Sequence, residues 1–213
     1  MKLTIDSKNL IGMLKLVSNQ KDIRHYLNGI YCEIRGNDAI LVATNGHVLG
    51  AFNCAQAVVF DEGERREDTS FIVPCALLED AKLSLKGECT VELKHDDPTI
   101  SIRRITLRDS YSDITVGGDE VDGKFPKWRM VIPQSVSGEV AQFDPELIAR
   151  LAAASKAILN VRRNAIIPLY LAHNGDSGAL VSIGDDNFVG VLMGLNMSRV
   201  ANSIPTAPPA WAM

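Results

Sequence analysis

The chain has 213 residues, 46% hydrophobic and 23% charged, with a formal net charge of −4 from 22 basic and 26 acidic side chains. That balance allows one large or two small globular domains. It argues against a nonspecific nucleic-acid coat, while a locally basic face stays open. No apolar run reaches the length of a bilayer span, and the N-terminus MKLTIDSKNL begins a strand and a helix rather than a signal peptide, so a cytoplasmic location is expected.

Three segments open alike. LTIDSKNLIGMLKLV starts at Leu3, FIVPCALLEDAKLSL at Phe71 and VAQFDPELIARLAAA at Val140. Their strand-to-helix junctions, near Ser7, Cys75 and Asp144, lie 68 and 69 residues apart. Each junction leads into a helix and then two or three strands, so the chain reads as three βαβββ modules.

In the first module, residues 2–6 form a strand, Ser7 is an N-cap, and a helix runs over 8–19 with Leu10, Ile11, Met13, Leu14, Leu16 and Val17 on its apolar side. Alternating runs at 29–34 and 39–43 flank Arg35-Gly36-Asn37-Asp38, the pattern of a hairpin. The second run enters Thr44-Asn45-Gly46-His47, where Asn-Gly tolerates positive φ, and a third strand follows through 47–54. Residues 55–69 contain DEGERRED and read as a solvated loop.

The second module has a strand at 70–74, a helix at 76–85 and strands at 89–94, 99–103 and 105–108, with a turn at Asp96-Asp97-Pro98 and a polar loop over 117–124. FPKWRMVIP then leads out, its path fixed by a proline near each end. The third module starts near Gly138. Asp144 is an N-cap with Pro145 at the first helical position, and the helix reaches Ile158. NVRRN is a basic loop, strands follow at 166–172, 179–183 and 187–195, and the proline- and alanine-rich tail IPTAPPAWAM is expected to be poorly ordered.

No catalytic constellation is present. His25, His47, His95 and His173 belong to no HxxxH or HExxH pattern, no nucleophile motif accompanies His47, and there is no P-loop or GxGxxG. GGDEVDG lacks the spacing of a calcium loop. Cys32, Cys54, Cys75 and Cys89 show no CxxC spacing and sit in apolar runs, which favours reduced, buried thiols over a metal or redox site. Neither a cofactor nor a metal is expected.

Three stretches carry a resemblance: YLNGIYCEIRGNDAILVATNGHVLG from Tyr26, DGKFPKWRMVIP over 122–133, and VGVLMGL over 189–195. In that order they resemble the bacterial DNA polymerase III beta subunit, the sliding-clamp family, across residues 1–196; the chain would be a shortened member, as in a phage or prophage type. The resemblance implies an α+β DNA-clamp fold, with curved antiparallel sheets backed by helices. Residues 1–133 would be a two-module domain like the family's middle domain, 134–200 a shortened domain of one module, and 201–213 a flexible tail. On this resemblance the family's first domain would have no counterpart among these residues.

The resemblance also implies a groove for partner peptides. Carried over residue by residue, it falls on Leu27; Thr44, Gly46, His47, Val48 and Leu49; Pro126, Met130 and Val131; and Leu192, Met193, Gly194 and Leu195. Leu27, Leu49, Val131, Leu192 and Met193 would line one apolar patch with His47 at its rim. On composition alone these residues read as inter-module core; the three motifs in order favour the groove. Val48, Met130 and Gly194 replace two arginines and a proline of the family pattern, which makes the groove more apolar. A second expectation is a nucleic-acid face of helix-borne cations that meet phosphates without reading bases: Lys8, Lys15, Lys21, Arg24, Lys82, Lys86, Arg150 and Lys156, with Arg162 and Arg163 beyond. The same lysines also fit an ordinary solvated face.

The implied function is a non-enzymatic processivity or scaffold protein. Its partners would be duplex DNA, a polymerase or other replication or repair protein bearing a linear hydrophobic motif, and further copies of itself, with no membrane. The alternative is an adaptor or decoy that keeps the groove without encircling DNA.

Overall fold

The computed structural model describes residues 1–18, 22–59, 68–94, 102–162 and 164–196. Lys21, His95, Arg163, the Asp96-Asp97-Pro98 turn, most of DEGERRED, the strand expected at 99–103 as far as residue 101, and the tail lie outside them.

The elements follow as β1 (Lys2–Asp6), α1 (Ser7–Leu14), β2 (Gly29–Arg35), β3 (Asp38–Thr44), β4 (Val48–Cys54), β5 (Val58–Val59), β6 (Thr69–Pro74), α2 (Cys75–Asp80), β7 (Glu88–Lys94), β8 (Arg104–Asp109), β9 (Thr115–Asp119), α3 (Pro145–Ile158), β10 (Tyr170–Ala172), β11 (Gly178–Ser182) and β12 (Phe188–Met193). They make an α+β fold of two antiparallel sheets, ordered β5-β1-β7-β8-β9 and β10-β11-β12-β4-β3-β2-β6.

The first two modules interlock by exchanging their opening strands. β1 lies beside β7 of the second module, with Leu3 opposite Val91, and β6 lies beside β2 of the first, with Ile30 opposite Val73. The third module extends the first module's sheet: β12 pairs with β4, so Val191 faces Leu49 and Leu192 faces Val48. One apolar core between the sheets and helices collects Leu3, Leu10, Leu41, Leu107, Leu151 and Leu192, all fully buried. α3 crosses α1 at Gly12, where a Cβ would come within 2.5 Å of Ile158 Cγ1. The far face of the seven-stranded sheet has its own cluster, in which Phe125 and Trp128 of the exit segment cover Leu27, Val42, Leu49, Ile72 and Val191.

Several expected elements differ. Ser7 is not the N-cap; Asp6 holds that position, and the buried Ser7 hydroxyl donates to Asp109 Oδ1 at 2.9 Å. The helices α1 and α2 are shorter than their apolar periodicity suggests, and Lys82, at φ 47, turns the chain after α2. Within 117–124, the stretch up to Asp119 belongs to β9, an edge strand recruited by β8 despite its two glycines. Strand structure in 166–172 is confined to β10.

No strand forms over 138–143, directly ahead of α3. Instead Gly138 N donates to His173 O (3.0 Å), Gly175 N to Glu139 O (2.9 Å) and Leu195 N to Gln142 O (2.7 Å). β1 and β6 are held as strands by the sheet of the neighbouring module, and among the described residues no such sheet lies beside 138–143.

All four cysteines are buried and free. Burial pushes the thiols of Cys54, Cys75 and Cys89 up to about 12, and Cys32 higher still. Among the described residues, no helix is long and apolar enough to cross a membrane, and no cluster of three or more His, Cys, Asp or Glu is placed to hold a metal ion.

Candidate functional site

The turn between β3 and β4 is built by its own side chains. Thr44 Oγ1 donates to Val48 O at 2.7 Å and accepts from Gly46 N at 3.0 Å. Asn45 Oδ1 accepts from the N–H groups of His47 and Val48, both at 2.9 Å. These side-chain turns use Thr and Asn as backbone mimics, and Gly46 supplies the positive φ of 92°. β12 ends beside this turn, where Met193 N donates to His47 O at 2.9 Å.

The exit segment closes the site from a third direction. Phe125 stacks on Tyr31 of β2, with ring centroids 4.6 Å apart and planes 8° from parallel. Trp128 Nε1 donates to Glu33 Oε2 at 3.1 Å, and the Arg129 guanidinium lies 4.0 Å over the Trp128 ring while donating to the same oxygen at 2.7 Å. Arg35 Nε donates to Glu33 Oε1 at 2.6 Å. Burial pushes the Glu33 carboxyl up, but the hydrogen bonds from Arg129, Trp128 and Arg35 outweigh it and hold it below its ordinary value. Glu33→Ala removes the acceptor for both Trp128 and Arg129. It should lower stability by about 1–3 kcal/mol, read as a shifted urea midpoint followed by tryptophan emission; an unchanged midpoint would show that Glu33 does not anchor the segment.

Together these elements enclose a cavity of about 190 Å³ lined by Leu27, Thr44, Gly46, His47, Val48, Leu49, Pro126, Val131 and Met193 among the expected residues. Leu27 and Leu49 form a nearly buried floor, whereas Val131 and Met193 are 52% and 39% exposed at the rim. Val48 lines the cavity although its side chain belongs to the helix-side core. Such an apolar floor with a rim of backbone and small polar groups suits leucine-like and aromatic side chains of an extended peptide.

Four expected residues lie elsewhere. Leu192 faces the helix-side core, because side chains alternate along β12 and its neighbours Val191 and Met193 take the cavity face. Met130, 79% exposed on the short turn Trp128–Val131, lines a different concavity across the exit segment. Gly194 abuts the loop at Gly175, and Leu195 is tied to Gln142.

Sequence reasoning missed Tyr26, Phe125, Lys127, Trp128 and Val191, all of which line the cavity, and it placed Arg24 among the DNA cations. The Arg24 guanidinium instead forms part of the cavity wall. It grips Asp22 through Nε (3.0 Å) and Nη2 (2.7 Å) and donates to Asn45 O at 3.1 Å. Hydrogen bonds from Arg24 and then from Ser18 hold the Asp22 carboxyl far below the usual carboxylate range. A Cβ at position 46 would sit 2.6 Å from Arg24 Nη1, so the guanidinium packs directly on the Asn-Gly turn. In the sequence Arg24 stands two residues before the first motif opens at Tyr26, outside the residues that carry the resemblance.

The other expected cations are scattered. Lys15, Lys82 and Lys86 are exposed, Lys156 is half-buried in the last turn of α3, and Lys8 pairs with Asp6 at 3.2 Å. Arg150 donates to the carbonyls of Lys15 (3.4 Å) and Val17 (3.1 Å), closing the end of α1.

A family model described as "DNA polymerase III beta subunit, central domain" matches residues 4–127. The beta sliding clamp of Pseudomonas putida KT2440 is 29% identical over 166 residues, covering 78% of this chain and 41% of that protein. The one from Vibrio cholerae El Tor Inaba N16961 is 31% identical over 169 residues, covering 79% and 42%. The chain thus spans about 41% of the length of the curated relatives it matches. Among solved structures, a DNA polymerase sliding clamp from Pseudomonas aeruginosa superposes with a TM-score of 0.62 at 17% identity, over 92% of this chain and 66% of that one, which establishes the shared fold.

Proposed function

Since the chain belongs to the DNA polymerase III beta subunit family, matching its central domain, we propose that it is a clamp-type processivity or scaffold protein with no catalysis of its own. In this reading, residues 1–133 are a two-module clamp domain and 134–200 a third module. A polymerase or other replication or repair protein docks a linear hydrophobic motif over Leu27, Leu49, Val131 and Met193, in the cytoplasm. The observation that carries this is the convergence of three distant segments, 44–49, 125–131 and 191–193, on one apolar cavity. A fluorescently labelled peptide with spaced leucines and a phenylalanine tests it. Saturable binding that perturbs Trp128 emission is expected, and no binding at any attainable concentration would overturn the assignment.

Duplex DNA would be held without sequence readout by Lys15, Lys82 and Lys86, the exposed members of the cation set among the described residues. Binding should be weak, with a log–log salt slope of about −0.9 per phosphate neutralised. Reversing the three lysines to Glu should abolish a low-salt gel shift; unchanged affinity would refute their role. The adaptor reading is favoured by one observation: Arg24, Arg150 and Lys8 are engaged by partners within the chain. Absence of any duplex binding by the parent chain, with peptide binding intact, would select it.

A further inference from the structure

A second concavity, about 870 Å³, lies across the exit segment from the apolar groove. The two share Phe125, Pro126, Lys127 and Trp128, so an extended chain leaving the groove over the exposed Pro126–Lys127 ridge enters the second one directly. The second concavity is lined by five cations and three carboxylates, on a chain whose net charge is −4. Two of the carboxylates are already matched: Glu33 by Arg35 and Arg129, and Glu120 by Arg103, which grips it through Nε (2.7 Å) and Nη2 (2.8 Å). Asp122 is the one carboxylate outside these pairs. Lys124 and Lys127 are exposed and carry no ion pair among the described residues. At the other wall of the groove, the Arg24 charge is neutralised by Asp22. Among the described residues around the groove, uncompensated positive charge therefore lies on the ridge side.

We propose that the second concavity receives an acidic segment flanking the apolar anchor of the same partner peptide, with Lys127 on the ridge and Lys124 beyond it as the cations that meet it. This rests on the reading of the apolar groove as a peptide site. It adds a chemical class to the partner: a protein whose linear motif is hydrophobic at its centre and acidic on one side. Such pairs are solvent-exposed, so they act on selectivity and encounter more than on total affinity, and salt weakens them.

The test compares three synthetic peptides that share a core of spaced leucines and a phenylalanine: the core alone, and the core extended by a short run of glutamates at either the N- or the C-terminal end. At low salt, one of the two extended peptides should bind about fivefold more tightly than the core, with the gain vanishing at high salt. Lys124→Glu, which lies outside the apolar groove, should leave the core peptide's affinity unchanged and remove most of the gain. Adding Lys127→Glu should invert the ratio of extended to core affinity. Equal affinities for all three peptides, or a gain that survives both reversals, would overturn the proposal while leaving the groove intact. Failure of the core peptide to bind the parent chain would overturn the groove reading and this inference with it.

Discussion

Met193→Asp should cut the affinity for a hydrophobic peptide by about a hundredfold and leave the fold in place. Met193 ends β12, is 39% exposed, and its amide is fixed to His47 O, so its side chain stands at the cavity rim in the free protein. A carboxylate there stays hydrated until a peptide arrives. Seating an apolar anchor would then strip its water, while the Arg24 guanidinium in the same lining is already held by Asp22, a penalty of about 2–3 kcal/mol. The measurement is a peptide titration paired with a thermal melt. Wild-type affinity with an unchanged melt would mean that the peptide seats elsewhere.

Leu49→Asp would not serve the same purpose, although Leu49 lines the same cavity. It is 5% exposed, lies opposite Val191 in the sheet, and packs in the cluster with Val42, Phe125 and Trp128. A charge there is buried in the folded state itself, so lost binding would report lost folding.

The contrast between Met193 and Leu49 marks how far the sequence carries. The β2–β3 hairpin and β4 were legible almost to the residue, because alternating apolar runs and the Gly36 and Asn45-Gly46 turns agree at the same positions. α3 was legible for the same kind of reason: Asp144 accepts from Glu146 N at 2.8 Å, with Pro145 in the first turn. β9 was hidden, since TVGGD has little strand character of its own and is ordered by pairing with β8. The face of Leu192 was misjudged because consecutive residues of one strand, here Leu192 and Met193, cannot share a side, and only the register with β4 shows which of them turns outward. Arg24 and Trp128 could not be assigned from spacing alone, since their partners are tertiary: Trp128 finds Glu33 across 95 residues and Arg24 reaches Asn45 across 21.

A larger loss of stability is expected from Asp109→Ala, at a site remote from the groove. Asp109 is fully buried at the end of β8 and accepts four hydrogen bonds: from Ser7 Oγ (2.9 Å), Ser84 N (3.3 Å), Tyr111 N (3.2 Å) and Ser112 N (2.8 Å). Ser7 opens α1, so this carboxylate ties the first module's helix to the second module's sheet, at the place where the two exchange strands. Burial pushes its carboxyl up, but the bonds from Ser112 N–H, the Ser7 hydroxyl and Ser84 N–H outweigh that and leave it below its ordinary value. Alanine would strand those donors in a dry site and should cost about 3–5 kcal/mol, a large share of the ~5–15 kcal/mol that holds an ordinary domain together. Asp109→Asn keeps one carbonyl acceptor but turns an amide N–H₂ toward the remaining donors, so it should fall between the two. The depressed value also fixes a pH dependence. Its contribution is fully present above the unfolded-state value of about 4 and is lost as pH falls through the lower folded-state value, because protonation then binds more tightly to the unfolded chain. Urea midpoints measured on both sides of that value should drop on acidification in the parent, and Asp109→Asn should lack the part of that drop owed to this group. A parent and an Asp109→Asn variant with parallel acid profiles would show that the carboxylate's charge does not hold the two modules together.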